Sequence, residues 1–122
     1  MIHGVVNSRY ELTLSLVVCS TNKQREFVNT VIDTGFDGFL SLPSDIIARL
    51  GLSWRTSNVA TLGDGSKTLF DFYTGTVIWD GQYRMIDIAE SETEPLLGLA
   101  MLRGYRLQAE NVRGGIVKVE AL

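Results

Sequence analysis

The chain has 122 residues, of which 45% are hydrophobic, 20% charged and 9% aromatic. These proportions are typical of a folded globular protein and argue against extensive disorder. The length predicts one domain spanning residues 1–122. A net charge of −3 provides no general attraction to a phosphate backbone, which argues against nucleic-acid binding.

The apolar runs are short, residues 96–102 being among the longest. Because a membrane-spanning helix needs about 20 consecutive apolar residues, we expect no membrane segment. Residues 1–7 lack the basic and apolar regions of a secretory signal. Cys19, the single cysteine, lies within an apolar run and is expected to be a buried hydrophobic side chain. Together these features predict a cytoplasmic protein.

The first half of the chain reads as strands followed by a helix. Apolar periodicity predicts strands at residues 10–18 and 27–32, joined as a hairpin by the polar residues 21–24. Residues 44–50 follow a proline and stop before Gly51, an arrangement that predicts a short helix.

The second half reads mainly as strands. Residues 67–79 and 83–88 are rich in β-forming side chains and flank Asp80-Gly81, a dipeptide typical of tight hairpins. Residues 99–103 predict one helical turn, and residues 115–120 alternate as a last strand. The chain is therefore expected to be mostly β, with one or two short helices.

Several catalytic and metal-binding patterns are missing from the sequence. His3 is the single histidine, which excludes a histidine triad elsewhere in the chain and a multi-histidine metal site. The sequence has no phosphate-binding Gly-rich loop and no paired cysteines. The acidic run at 90–94 is expected to be a solvated loop, so we predict no metal and no cofactor.

Asp33 stands out because it directly follows the apolar run at 28–32. A carboxylate at the end of a buried strand is costly unless hydrogen-bond donors receive it. Thr34 offers a hydroxyl and Gly35 an open backbone N–H, so this tripeptide can cradle a carboxylate. The same residue types also form ordinary turns, and the tripeptide alone leaves both interpretations open.

The order of motifs along the chain resembles that of the retropepsin-like (clan AA) aspartic proteases. Residues 31–38 resemble the active-site loop of this family, and Leu42-Pro43 and the helix ending at 50–52 follow it. Residues 62–66 resemble the family's flap hairpin, and residues 95–102 resemble the element beneath the active-site loop. The resemblance spans nearly the whole chain and is closest to short cellular members that carry a single Asp-Thr-Gly motif.

The resemblance implies a retropepsin-like closed β-barrel and an aspartic-type endopeptidase that acts on peptides or proteins. Such chemistry uses two carboxylates that share a proton, because like charges so close together cannot both ionise. Since this chain has one Asp-Thr-Gly, the site requires a homodimer in which each chain contributes Asp33 across a two-fold axis. One Asp33 acts as general base on a water, and the other hydrogen-bonds to the scissile carbonyl.

The resemblance also assigns supporting roles. Thr34 holds the two active-site loops in register, and Gly35 allows close approach of the backbone to the carboxylate. Leu97 and Gly98 pack beneath the loop. Substrate contacts are expected from the active-site loop and the flap: Phe36, Asp37, Gly38, Leu62, Gly63, Asp64 and Gly65.

Some of these assignments have structural alternatives. Asp64-Gly65 is also a favourable hairpin turn, and filling of the core is an equal alternative for Phe36 and Phe39.

Leu99 departs from the retroviral pattern, in which a charged residue at this position pairs with the residue equivalent to Asp37. Charge alone suggests Arg103 or Arg9 as the replacement partner.

Two other functions stay open at this stage. One is a non-catalytic peptide-binding or dimerisation module that has retained the protease fold. The other is a protein that dimerises only within a larger assembly.

Overall fold

In the computed structural model, which describes residues 1–61 and 64–122, the chain is mostly β. The elements of this described part, in chain order, are β1 (Ile2–Val6), β2 (Leu12–Cys19), β3 (Arg25–Ile32), β4 (Leu40–Leu42), α1 (Ser44–Leu50), β5 (Ser53–Thr61), β6 (Lys67–Trp79), β7 (Gln82–Glu90), β8 (Leu96–Leu97), α2 (Leu99–Leu102), β9 (Tyr105–Ala109) and β10 (Ile116–Ala121).

The strands form one sheet that closes on itself. Their order is β5-β6-β7-β4-β8-β3-β2-β1-β10-β9, and β6 also pairs with β2. The additional pairing joins Val18 to Val77 in register and closes a ring of six strands, β6-β7-β4-β8-β3-β2. The prediction of a closed, mostly β barrel is confirmed.

The barrel interior is filled by apolar side chains that alternate along the strands. Leu14, Leu16 and Val18 of β2 are at most 3% exposed, as the two-residue period of a strand requires when one face is buried. Leu40, Val77, Ile88, Leu97 and Met101 from the other elements complete this layer with no exposed surface. Cys19 is buried as predicted.

The elements with clear local end signals lie where the sequence predicts them. Helix α1 covers residues 44–50, and Gly51 ends it with φ +62°, donating its N–H to Ala48 O. Asp80 and Gly81 both have positive φ and join β6 to β7, as a tight hairpin turn requires. Helix α2 is the short turn predicted after residue 98.

Strands β1, β4, β5, β8 and β9 were not predicted from the sequence. β8 has two residues, and its position between β3 and β4 is defined by pairing rather than by a local pattern. β1 pairs with both β2 and β10, so the amino-terminal residues form an interior strand of the sheet. Within the described residues, no helix is long and apolar enough to span a membrane.

Candidate active site

Asp33 is the first residue after β3, and the sheet fixes its backbone. Strands β3 and β8 run parallel, with Ile32 opposite Leu97. The N–H of Asp33 donates to the carbonyl oxygen of Leu97 at 2.9 Å. Pairing with Leu97 therefore fixes the position of the Asp33 backbone, and with it the point from which the Asp33 side chain projects.

The Asp33 carboxylate is cradled by its own loop. Gly35 N–H donates to Asp33 Oδ1 at 2.9 Å, and Phe36 N–H donates to the Asp33 carbonyl at 3.1 Å. A Cβ added at Gly35 would lie 3.2 Å from Asp33 Oδ1, so the glycine permits this close approach. The loop is therefore a turn in which the Gly35 N–H receives one oxygen of the Asp33 carboxylate.

The tip of this loop is exposed to solvent. Asp33 is half-buried, whereas Thr34 and Gly35 are exposed. The tip of the loop is accessible to a second molecule, because Thr34 and Gly35 project from the barrel instead of packing into it.

The segment after β8 supports the loop from below with three hydrogen bonds. The N–H groups of Gly98, Leu99 and Ala100 donate to the carbonyl oxygens of Phe39, Phe36 and Gly38 at 3.0, 2.8 and 3.1 Å. A Cβ at Gly98 would collide with the Gly38 carbonyl oxygen and would lie 2.6 Å from that of Phe36. The predicted support residues Leu97 and Gly98 therefore lie directly beneath the active-site loop.

A groove of about 620 Å³ begins at the active-site loop. Its lining is mainly apolar and comes from the loop, from β4, β6, β7 and β8, and from the residue after β7: Gly35, Phe36, Asp37, Gly38, Ser41, Phe70, Phe72, Ala89, Ser91 and Leu96. Concave, largely apolar surfaces with a few polar groups are typical of ligand sites.

Phe36 and Phe39 have different positions. The Phe36 ring lines the groove and lies over the two glycines, so a Cβ at Gly38 would be 2.6 Å from its Cζ and one at Gly98 would be 2.8 Å from its Cδ2. Phe39 packs against the core, with the Arg84 guanidinium 5.3 Å from its ring centre. Phe36 therefore lines the groove, whereas Phe39 packs against the core.

The predicted flap is a hairpin of β5 and β6 whose last register pair is Thr61 with Lys67. Leu62 and Gly63 lie outside the described residues. Asp64 Oδ1 accepts hydrogen bonds from the Ser66 hydroxyl at 2.6 Å and from the Ser66 N–H at 2.9 Å. These bonds hold the pKa of Asp64 below its usual range. Asp64 and Gly65, which has φ +85°, are exposed turn residues in this single chain.

Asp37 lies at the rim of the groove, is exposed, and makes no ion pair in the described part of the chain. Arg9 is instead 3.8 Å from Glu11. The expected pairing of Asp37 with Arg9 or Arg103 is therefore not formed among the described residues of one chain. Leu99 offers no charge to Asp37, and this carboxylate is exposed to solvent.

Sequence reasoning missed the part of the groove contributed by distant elements. Phe70 and Phe72 come from β6, Ser41 and Leu96 from paired strands, and Ala89 from β7. Spacing by two residues on a strand places Phe70 and Phe72 on one face, and this was the available signal. The described residues bring together no group of three His, Cys, Asp or Glu side chains that could hold a metal ion.

Comparisons with solved structures identify the fold. A retropepsin-like aspartic protease from Rickettsia conorii aligns with a TM-score of 0.60 and 14% identity, over 99% of this chain and 90% of that one. EIAV protease in complex with the inhibitor HBY-793 aligns with a TM-score of 0.56 and 19% identity, over 76% of this chain and 86% of that one. No protein-family model matches the chain, and no curated protein matches it. The chain has the retropepsin-like fold.

Proposed function

We propose that this protein is an aspartic-type endopeptidase whose active site is formed by Asp33 from two copies of the chain. The observation that carries the proposal is the position of Asp33: its backbone is anchored through Leu97, its carboxylate accepts the Gly35 N–H, and the next residues of its loop line an apolar groove. The similarity to solved aspartic proteases supports the same class of chemistry.

The need for a second copy follows from charge and exposure. Each chain supplies one carboxylate of this kind, whereas activation of water and polarisation of a carbonyl call for one ionised and one protonated carboxyl group. Thr34 and Gly35 are exposed on the same loop. A two-fold axis passing beside them places two Asp33 side chains face to face.

The reaction then uses two groups and one water. The ionised Asp33 takes a proton from the water while the water oxygen attacks the scissile carbonyl carbon. The protonated Asp33 donates its proton to the carbonyl oxygen. The tetrahedral intermediate collapses when the C–N bond breaks: the Asp33 that took the proton from water gives it to the leaving nitrogen, and one hydroxyl group of the intermediate returns its proton to the other Asp33. The products are a carboxylic acid and an amine, and the two aspartates again share one proton.

The groove orients the substrate for this step. Phe36 lines it from the active-site loop, and Phe70 and Phe72 line it from β6. Burial of a large apolar substrate side chain against such rings contributes roughly 1.5–3 kcal/mol, which favours peptides with an aromatic or branched aliphatic residue near the scissile bond.

Cleavage of a peptide library between pH 3 and 7, followed by mass spectrometry, tests the proposal. Asp33→Asn is expected to lower kcat by about 10²–10⁴-fold, the usual contribution of a general acid or base. Asp45→Asn is the matched control, because Asp45 is an exposed carboxylate on α1 that pairs with Arg49. Equal cleavage by the Asp33→Asn and Asp45→Asn proteins, or no cleavage by the dimeric wild-type protein, rejects the catalytic role.

A non-catalytic peptide-binding module is the second candidate. It is favoured by one observation: residues of the chain line a groove of about 620 Å³ that is mainly apolar and able to receive peptide side chains. This function predicts that the wild-type protein binds peptides without cleaving them, and that Asp33→Asn leaves the affinity unchanged.

A further inference from the structure

Three side chains meet on the face of the β5–β6 hairpin opposite to Phe70 and Phe72. Asp71 Oδ1 accepts a hydrogen bond from the Trp54 indole Nε1 at 3.2 Å and another from the Ser57 hydroxyl at 2.5 Å. Trp54 and Ser57 belong to β5 and Asp71 to β6, so the cluster joins the two strands through a single carboxylate oxygen.

A β-bulge makes this cluster possible. Side chains three residues apart on a regular strand point to opposite faces, so Trp54 and Ser57 would normally be separated. The register of β5 against β6 shifts between Trp54 and Thr56, and the extra residue, Arg55, brings Trp54 to the face of Ser57. The bulged residue is itself held, because Arg55 Nη1 lies 2.9 Å from Asp87 Oδ2 on β7.

The opposite face of the same segment forms part of the groove. Asp71 is the residue between Phe70 and Phe72, and both phenylalanines line the groove whereas Asp71 does not. Because neighbouring strand residues point to opposite faces, any shift of the backbone at Asp71 also moves the two rings. The cluster of Trp54, Ser57 and Asp71 is thus connected to the groove through the backbone of β6 at Asp71.

We propose that Asp71 is a positioning residue for substrate binding, which holds Trp54 and Ser57 so that Phe70 and Phe72 keep their places in the groove. This role rests on the proposed function. It goes beyond that function by locating control of the groove on the strand face that does not line it.

The charge of Asp71 suits this role at acid pH. Hydrogen bonds from Ser57 and then from Trp54 hold the pKa of Asp71 below its usual range, against a smaller opposing effect of desolvation. The carboxylate therefore stays ionised in mildly acidic solution, where the aspartic dyad is expected to work. Hydrogen bonds to an ionised acceptor are stronger than those between neutral groups, and the positioning cluster persists under these conditions.

Kinetics of three variants test the role, with a peptide that carries phenylalanine near the scissile bond as substrate. Asp71→Ala is expected to raise KM about tenfold with kcat within about twofold, because the groove contacts substrate and transition state alike. Asp71→Asn retains an acceptor oxygen and is expected to restore KM to within about threefold of wild type. Asp45→Ala, which removes an exposed carboxylate on α1, is the control and is expected to leave KM unchanged.

Binding and hydrogen exchange give measurements that do not depend on turnover. Asp71→Ala is expected to weaken binding of an uncleavable statine-containing peptide about tenfold and to speed amide exchange in residues 68–72. Trp54→Phe removes one of the two bonds at an exposed site and is expected to act in the same direction, which covers the case in which Asp71→Ala fails to fold.

The outcomes separate the two proposals. A wild-type protein that cleaves the peptide, with KM, inhibitor affinity and amide exchange unaltered in Asp71→Ala and Trp54→Phe, overturns the role of Asp71 alone. A wild-type protein that neither cleaves the peptide nor binds the inhibitor overturns the proposed function and the role together.

Discussion

Replacement of Gly98 by alanine tests how the loop that carries Asp33 is supported. Gly98 has φ −99°, a value open to any residue, so backbone conformation gives alanine no penalty. The constraint is space, because the new Cβ would collide with the Gly38 carbonyl oxygen and lie 2.6 Å from the Phe36 carbonyl oxygen. Both are backbone atoms of the active-site loop, and the loop must move away from α2.

The expected cost follows from that movement. Overpacking of a tight site costs roughly 1–3 kcal/mol. Displacement of the loop also breaks the bonds from Leu99 N–H to Phe36 O and from Ala100 N–H to Gly38 O, each worth about 1 kcal/mol. The sum is about 3–5 kcal/mol, a large share of the roughly 5–15 kcal/mol that stabilises a typical domain.

Guanidinium unfolding followed by circular dichroism measures this cost. Gly104→Ala is the matched control, since Gly104 has φ +82° and no atom within 4 Å of an added Cβ. It is expected to lose about 1–2 kcal/mol through backbone strain alone. If Gly98→Ala proves no less stable than Gly104→Ala, the close approach beneath the loop is not what supports the site.

Three further predictions concern the core, the groove and the flap. Leu97→Ala, at a position with no exposed surface, is expected to lower the free energy of unfolding by about 2–5 kcal/mol in the same denaturation assay. A loss of less than about 1 kcal/mol would contradict the tight packing of Leu97 in the core. Phe72→Ala, in the groove, is expected to raise KM about tenfold for peptides with an aromatic residue near the scissile bond and to change KM little for alanine-containing peptides; equal effects on both oppose the assigned subsite. Wild type is expected to be more stable than Asp71→Asn. This difference in the free energy of unfolding has its full size above the usual aspartate pKa of about 3.9 and disappears as the pH falls through the lowered pKa of Asp71. A difference independent of pH, measured by urea unfolding between pH 6 and 2, argues against a hydrogen-bonded carboxylate.

Elements with local end signals could be predicted from the sequence. Helix α1 needs only Pro43 before it and Gly51 after it, and the β6–β7 turn needs only the positive φ that Asp80 and Gly81 accept. The Asp33 cradle is likewise local, because its donor lies two residues away at Gly35. Short-range geometry is encoded by neighbouring residues, so a single sequence suffices for these features.

Features created by long-range pairing could not be predicted. β8 is two residues long and exists because β3 and β4 lie on either side of it. The bulge at Arg55 interrupts the alternation of β5, which conceals that strand from a periodicity argument. Phe70 and Phe72 were recognised as strand residues, but their place in the groove depends on how the flap folds over Ser41 and Leu96.

The partner of Asp37 was sought among arginines on the basis of charge. Arg9 is held instead by its own loop, in which Asn7 accepts the Arg9 N–H and Glu11 lies near its guanidinium. The local turn therefore places the Arg9 side chain beside Glu11, and formal charge alone does not reveal this local geometry.

Subunit mixing tests the central claim most directly, namely that each active site uses Asp33 from two chains. Wild-type and Asp33→Asn chains are unfolded, combined in varied proportions and refolded together, and the rate of peptide cleavage is measured at a fixed total concentration. Random pairing leaves activity proportional to the square of the wild-type fraction, so an equal mixture retains about a quarter of the wild-type rate. A linear dependence, with about half of the rate at equal proportions, would show that one chain is sufficient and would contradict the shared site.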